Sequence, residues 1–432
     1  MSHTAPAAHA AIRPGGAGRA AVRAHFASAE KKLATLCALD PQLIDISLRE
    51  SCVGASLGHT LENKIDLLPL IDGFGFKDKI IASLNYQLDH EPQVEDDFCH
   101  YLNRQGYDMT GCFALTSTGS FTAGRFVPHL SMRKMRTFGI PNTLLEMYAL
   151  PAAPPQADVL AALAASVDWL RTRDGACRVY VNVVDLVDAF FAQPDWACAL
   201  LESIAGLAVE GVSFEDGRGT YFPFQIGATV ASIKALLSSR QRVLFHCHSG
   251  NGMENASVLE ALLQGADGYW AGMDRVAATD GHASMSELIA NLLRAGNPHM
   301  AARYPVQQLA SVTARMHSIN TAQTAPPHCP IVGGYAYRQT LSSFGQHAAR
   351  PMDLPASSIG AQPGYRIAPV VSDGPVIQGR VLEALGHTID AATAQQMILL
   401  MRADMRAGLR IHYDEPVHLA TLLARAQAQL SC

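Results

Sequence analysis

The sequence contains no uninterrupted apolar run approaching the roughly 18 residues that a membrane-spanning helix needs, which excludes a transmembrane segment of that kind. Cys-x-x-Cys pairs are missing as well. The nine cysteines are odd in number and irregularly spaced, which argues against a disulfide framework and for a reducing compartment, by default the cytoplasm. Charge is scarce: 16% of residues are charged against 49% hydrophobic, and the net charge of -5 with a pI near 6.4 offers no general attraction to nucleic acid or an anionic membrane surface. Acidic residues are absent before Glu30, where Arg13, Arg19 and Arg23 stand among many alanines. Organelle transit peptides share that composition, but a disordered leader is the preferred reading. Pro14, Gly15, Gly16 and Gly18 argue against a continuous helix there.

What is present is a regular alternation of β-rich and amphipathic stretches from about residue 40 onward, the pattern of consecutive βα units on a parallel sheet. The strand candidates are Leu43 to Leu48, Lys79 to Leu84, Met109 to Leu115, Thr143 to Tyr148, Arg178 to Val184, Gly211 to Phe214, Val243 to His248 and Gly268 to Gly272. Helices are expected over Thr60 to Ile71, Ala157 to Arg171, Phe224 to Leu237, Glu254 to Leu263 and Ser284 to Leu293. Eight such units in about 250 residues predict an α/β fold, a (β/α)8 TIM barrel. A doubly wound open sheet is the competing arrangement, because Gly119, Gly124 and Pro128 interrupt any clear helix in the third unit. The 432 residues divide into an N-terminal extension (1–40, partly disordered), a barrel domain (41–300) and a linker with a C-terminal α-rich accessory region (301–432). In the last region, Pro/Gly/Ser-rich sequence through Pro363 precedes helix candidates Val376 to Leu385 and Ala391 to Ala407.

Phe245-His246-Cys247-His248 ends the seventh strand candidate, and residues two apart on a strand point to the same face, so both imidazoles converge on the barrel mouth. That mouth, at the C-terminal ends of the strands, is where TIM-barrel active sites sit. The first strand candidate runs into Leu48-Arg49-Glu50 and delivers a guanidinium and a carboxylate to the same end. Two imidazoles and a carboxylate make a reasonable divalent-metal site. Taken singly, each motif has a bland reading: a buried histidine pair, and a surface Arg-Glu ion pair.

Together these elements resemble the DRE-TIM metallolyases, the superfamily of isopropylmalate synthase, homocitrate synthase and 3-hydroxy-3-methylglutaryl-CoA lyase. The resemblance covers roughly residues 43 to 400. It rests on the LRE motif, on His246-Cys247-His248-Ser249-Gly250-Asn251, and on Glu215-Asp216-Gly217-Arg218-Gly219 with Pro223, which is similar to the family's DTxG segment. Pro330-Ile331-Val332-Gly333-Gly334-Tyr335-Ala336-Tyr337 and Gly364-Tyr365-Arg366-Ile367-Ala368-Pro369 are similar to segments that follow the barrel in the synthases and that the simple lyases lack. The resemblance implies Glu50, His246 and His248 as metal ligands and Arg49 as the group that stabilises an enolate oxygen. It also implies a divalent ion (Mn, Mg, Zn or Co), an acyl-CoA co-substrate, a 2-oxo acid and a homodimer.

Several positions depart from the pattern. Gln339 stands where the synthases place a histidine, Val184 near their strand-five glutamate, and Gly217 at the threonine of DTxG. His282 replaces an asparagine common among relatives and offers a titratable group or a further metal contact, with a solvated loop histidine as the alternative. Asn85, Ser117, Glu146 and Asp216, at strand ends, are candidates for contacting a bound acid, each weighed against ordinary loop capping. Arg275 is a candidate for pairing with a second substrate carboxylate, against a plain surface role. The leading expectation is Claisen-type condensation of an acyl-CoA with a 2-oxo acid. The alternative is a CoA-independent aldolase or lyase, and a binding relative without turnover is a third. Amidohydrolases place HxH on the first strand rather than the seventh. Biotin-dependent carboxyltransferases need a suitably placed lysine, and the one lysine near a predicted strand end, Lys79, begins its strand.

Overall fold

In the computed structural model eight parallel strands close into a barrel: β1 (Gln42–Asp45), β2 (Asp78–Ser83), β3 (Cys112–Ser117), β4 (Asn142–Tyr148), β5 (Val179–Val184), β6 (Gly211–Asp216), β7 (Arg242–Cys247) and β8 (Gly268–Ala271). The structure describes residues 16–86, 93–150, 155–172, 177–278, 280–343 and 352–431. Closure comes from β1 against β8, with Gln42 beside Gly268 and Asp45 beside Ala271. The TIM-barrel expectation holds, and the open sheet is excluded by that pairing.

Alternation along the strands divides the apolar residues into two cores. Ile44, Ile80, Phe113, Leu115, Leu144, Tyr180, Leu244 and Trp270 fill the barrel interior. The residues between them on the strands pack outward against the helices. Moving two residues toward the mouth along the interior columns replaces Leu115 by Ser117, Leu144 by Glu146, Tyr180 by Asn182 and Leu244 by His246. In β6, Ser213 faces inward and accepts the Trp270 indole N–H at 2.7 Å, so Glu215 continues that column. The interior therefore turns from apolar to polar within one side-chain layer.

The helices anticipated around the barrel are present, among them Leu61–Phe74, Gln156–Arg171, Pro223–Leu236, Glu254–Leu263 and Met285–Arg294. In the third unit β3 continues into a hairpin, Ser120–Thr122 against Arg125–Val127, before the helix Leu130–Phe138. Ala123 and Gly124, at φ 48° and 74°, form its left-handed turn. A side chain at Gly119 would lie 2.5 Å from the Phe126 ring. The residues that obscured a helix in the sequence thus build a hairpin.

Two further features differ from the sequence reading. A 23-residue helix, Gly16–Ala38, occupies much of the stretch expected to lack one. Gly16 and Gly18 fall in its first turn, where backbone N–H groups have no intrahelical partner to lose, and the alanine-rich remainder favours helix. Pro14 and Gly15 lie outside the described residues. The core around the barrel also continues past residue 300 through Leu309, Val312 and Met316 of the helix Leu309–Thr321. Beyond it, Gly374–Leu385 and Ala391–Arg406 appear where expected, and an unanticipated third helix, Pro416–Leu430, completes a separate core around Ile377, Met397, Met401, Leu419 and Leu422. Among the described residues no helix is long and apolar enough to cross a membrane.

Candidate metal centre

The chain leaves β1 through a turn that its own side chains hold. Asp45, fully buried, accepts hydrogen bonds from the Ser47 N–H and hydroxyl at 2.9 and 3.0 Å, while Ser47 Oγ accepts the Met273 N–H at 3.1 Å from the loop after β8. Burial pushes the Asp45 carboxyl up to about 7. The turn releases Arg49 and Glu50 at the mouth, with Glu50 opening the short helix Glu50–Gly54. Gly54 lies against the next loop so closely that a Cβ there would come 2.0 Å from the Ala277 carbonyl carbon. This close approach sets the Ala277–Ala278 peptide beside the helix.

Ala278 links two of the candidate ligands. Its N–H donates to Glu50 Oε1 at 3.2 Å, and its carbonyl accepts from His248 Nδ1 at 3.1 Å. His246 Nδ1 donates to the Trp270 carbonyl at 2.7 Å, and its ring stacks on Trp270 with centroids 3.9 Å apart. Carbonyl oxygens only accept, so both histidines carry their proton on Nδ1 and present a bare Nε2. The two Nε2 atoms face each other at 3.1 Å. Burial, with the neighbouring histidines, pushes the His246 pKa well below its ordinary value, and burial lowers that of His248. His248 Nε2 lies 3.8 Å from Glu50 Oε1, a contact between a neutral ring and a carboxylate rather than an ion pair.

Glu50, His246 and His248 are the one group of three or more potential ligands among the described residues, with ligand atoms within 4.8 Å of one another, all buried. Two buried lone pairs pointed at each other beside a carboxylate repel unless a cation lies among them. Adjacent nitrogen ligands at about 2.0–2.1 Å from a divalent ion stand roughly 3 Å apart, which matches the observed spacing. The residues fit a divalent metal, and each imidazole has the carbonyl partner that fixes a ligating tautomer.

Arg49 borders this group. Its Nη1 donates to Glu50 Oε2, its Nε to Ser83 Oγ at 2.6 Å, and its guanidinium lies over the Tyr86 ring, 5.3 Å from the centroid. Next to them, Asn85 Nδ2 donates to both oxygens of Glu146 at 3.2 Å, and Asn182 Nδ2 donates to Glu215 Oε1 at 2.5 Å. Burial, then repulsion from Glu215, pushes Glu146 up to about 7. Ser117 lies beside Glu146 in register.

The other sequence candidates fall elsewhere. Asp216 faces away from the interior column and accepts the Thr220 and Tyr221 N–H groups at 3.1 and 3.0 Å, so it caps the loop after β6. The inward residue is its neighbour Glu215, one position away, and a strand inverts its faces at every residue. Arg275 is held by Glu287 and Glu254, with contacts of 2.6 and 2.8 Å, which consumes the charge proposed for a substrate carboxylate. His282 is buried; its Nδ1 donates to the Ala283 carbonyl at 2.9 Å and its Nε2 accepts the Gly272 N–H at 3.1 Å. It thus secures the loop after β8 and presents no free nitrogen to the metal group. Gln339 pairs with Tyr365 in a two-stranded sheet and makes no described contact with Glu50, His246 or His248. Lys79 is bound to Asp72 at the start of β2, the opposite end of the barrel. Asn182 and Glu215 were not singled out as site residues, although period-two counting from the apolar interior positions reaches both.

No family model matches the chain. Curated relatives include the 2-isopropylmalate synthases of Vesicomyosocius okutanii, 27% identical over 104 residues covering 24% of this chain and 20% of the relative, and Nitrosococcus oceani, 24% identical over 165 residues covering 37% and 32%. The chain therefore matches only about a fifth to a third of the length of these relatives. Among solved structures, the HMG-CoA lyase of Brucella melitensis aligns with a TM-score of 0.54 at 13% identity, covering 66% of this chain and 99% of the lyase. The hydroxymethylglutaryl-CoA lyase of Pseudomonas aeruginosa gives 0.52 at 12%, covering 66% and 93%. At such identities the structural likeness establishes the barrel fold, while the synthase relatives supply the sequence link. The sequence relatives and the shared barrel together indicate the DRE-TIM metallolyase superfamily.

Proposed function

We propose that the protein is a divalent-metal-dependent enzyme that joins the acyl group of an acyl-CoA, acetyl-CoA in the simplest case, to a 2-oxo acid by a Claisen-type condensation. The observation that carries this reading is the convergence of the bare His246 and His248 Nε2 atoms on Glu50, with Arg49 alongside. Glu50, His246 and His248 would hold the ion, which when bound supplies Lewis acidity toward the carbonyl of the 2-oxo acid. Arg49 stabilises negative charge developing on an enolate oxygen. Its fixed positive charge and its tethers to Ser83 and Glu50 leave little reorganisation to perform during the reaction. The Ala278 peptide and the Trp270 carbonyl orient the ligating groups, and the apolar interior beneath them closes the site to water from below.

The second reading, a CoA-independent aldolase or lyase on the same centre, is favoured by Gln339 and Val184, neither of which supplies the proton-transfer group expected of a synthase. A homodimer, in which the region after the barrel reaches the partner's mouth, is part of the first reading. The deciding experiment is a metal-supplemented assay of CoA release from acetyl-CoA across a panel of 2-oxo acids, with Glu50→Ala and His246→Ala as controls. Metal-dependent release abolished by both substitutions is the expected result. No release from folded, metal-loaded protein across the panel would move the assignment to aldol or lyase chemistry.

A further inference from the structure

Beside the metal ligands the mouth carries a second polar group, whose Glu215 stands next to His246 in register and acts by its charge on His248. Glu146 and Glu215 project inward from β4 and β6, with Asn182 of β5 between them and Asn85 at the end of β2. Among the described residues neither carboxylate has an ion-pair partner: each one's side-chain hydrogen bonds come from an asparagine amide nitrogen. Arg49, the cation that acts on Glu146, is already engaged by Glu50 and Ser83. Because the carboxylates must face the amide nitrogens, the orientation of both asparagines is fixed and each Oδ1 is the free end. Asn85 is 6% exposed and Asn182 fully buried, and both Oδ1 atoms are buried without any donor. This pole therefore presents two carboxylates and two orphaned amide oxygens with no donor to satisfy them, an arrangement that a folded protein seldom retains without a ligand.

We infer that this group of acceptors binds a cationic, hydrogen-bond-donating group, a primary ammonium or guanidinium, carried by the substrate. An anionic terminus would meet two carboxylates in a partly desolvated site, and an alkyl terminus would leave both Oδ1 atoms unpaired. A cation supplies both the missing charge and several N–H donors. The inference rests on the proposed condensation only in placing the carbonyl end of the substrate at the metal pole. It narrows the acceptor from 2-oxo acids in general to those with a basic side chain.

The test compares three 2-oxo acids of similar reach: 5-guanidino-2-oxopentanoate, 2-oxohexanoate and 2-oxoadipate. Binding to the metal-loaded protein is measured by calorimetry, in parallel with CoA release from acetyl-CoA. The guanidino acid is expected to bind about tenfold or more tightly than the other two. Glu215→Gln and Glu146→Gln should each erode that preference while binding of 2-oxohexanoate persists, which also shows that the variants fold. Equal or stronger binding of the neutral or anionic acid, unchanged in the variants, would overturn the inference even if CoA release proceeds. A second equivalent of divalent ion bound by the wild type and lost in Glu215→Gln would overturn it too, since the carboxylates would then serve a metal. Preferred binding of the guanidino acid with no CoA release would uphold the inference and sink the condensation reading instead.

Discussion

The two poles of the barrel mouth are built on opposite accounting of hydrogen bonds. Among the candidate metal ligands each residue is braced by a second group: Glu50 by the Ala278 N–H, His248 by the Ala278 carbonyl and His246 by the Trp270 carbonyl. The two histidine Nε2 atoms are bare, while each Glu50 oxygen accepts a donor, the Ala278 N–H on Oε1 and Arg49 on Oε2. At the acidic pole the asparagines brace the carboxylates, yet their own Oδ1 atoms are buried and unpaired. The difference fits the two proposals, a small cation held by a rigid cage and a larger group bringing its own donors.

The largest effect is expected where the cage itself is cut. Glu50→Gln keeps an acceptor for the Ala278 N–H but removes the one negative charge among the ligands, so metal affinity should fall about 100-fold or more, with activity following. Metal content after dialysis against a chelator measures this, and retention of stoichiometric metal would break the assignment of the pole. A smaller loss, about 10- to 100-fold in metal affinity, is expected from Gly54→Ala, which touches no ligand. Its Cβ would displace the Ala277–Ala278 peptide and so disturb Glu50 and His248 together. Unchanged affinity in a folded variant would mean that the peptide is not what positions them.

The smallest effect belongs to the acidic pole and has the opposite sign. The Glu146 carboxyl is raised from 4.5 to about 7 in the folded protein, so its protonated form is the better tolerated one. The stability it contributes is complete below pH 4.5 and is lost as pH rises through about 7. Glu146→Gln removes that loss while keeping an oxygen for the Asn85 amide. In metal-free protein the variant should match the wild type near pH 5 and exceed it by on the order of 1 kcal/mol at pH 8, read from denaturant melts. A variant less stable than the wild type at both values would show that the carboxylate is satisfied after all, and the contrast between the poles would disappear.

Much of this was visible in the linear chain. The eight strands follow from alternating apolar runs, and the metal group follows from two local spacings, His-x-His at the end of one strand and Arg-Glu at the end of another. The acidic pole was harder to read because it depends on phase. Asp216 and Glu215 are adjacent and both acidic, and only the inward position of Ser213 shows which of them faces the interior. The surroundings of His282 and Arg275 were not legible for another reason: Glu254 and Glu287 for Arg275, and the Gly272 and Ala283 backbone for His282, reach their polar atoms only in the folded chain.

Composition and periodicity by themselves determined consecutive βα units on a parallel sheet, because a strand's two faces and a helix's one apolar face repeat at different intervals along the chain, while closure into a barrel was decided by β1 against β8. They also determined that His246 and His248 point the same way from the seventh strand, because i and i+2 share a face by geometry alone. Only the tertiary structure decided which polar residues stay free to act. Closing the barrel brings Ala278 between Glu50 and His248, commits Arg275 and His282 to structural bonds, and leaves Asn85, Glu146, Asn182 and Glu215 facing one another. Hydrogen bonds between residues far apart in sequence depend on distances and angles that exist only once the chain is folded.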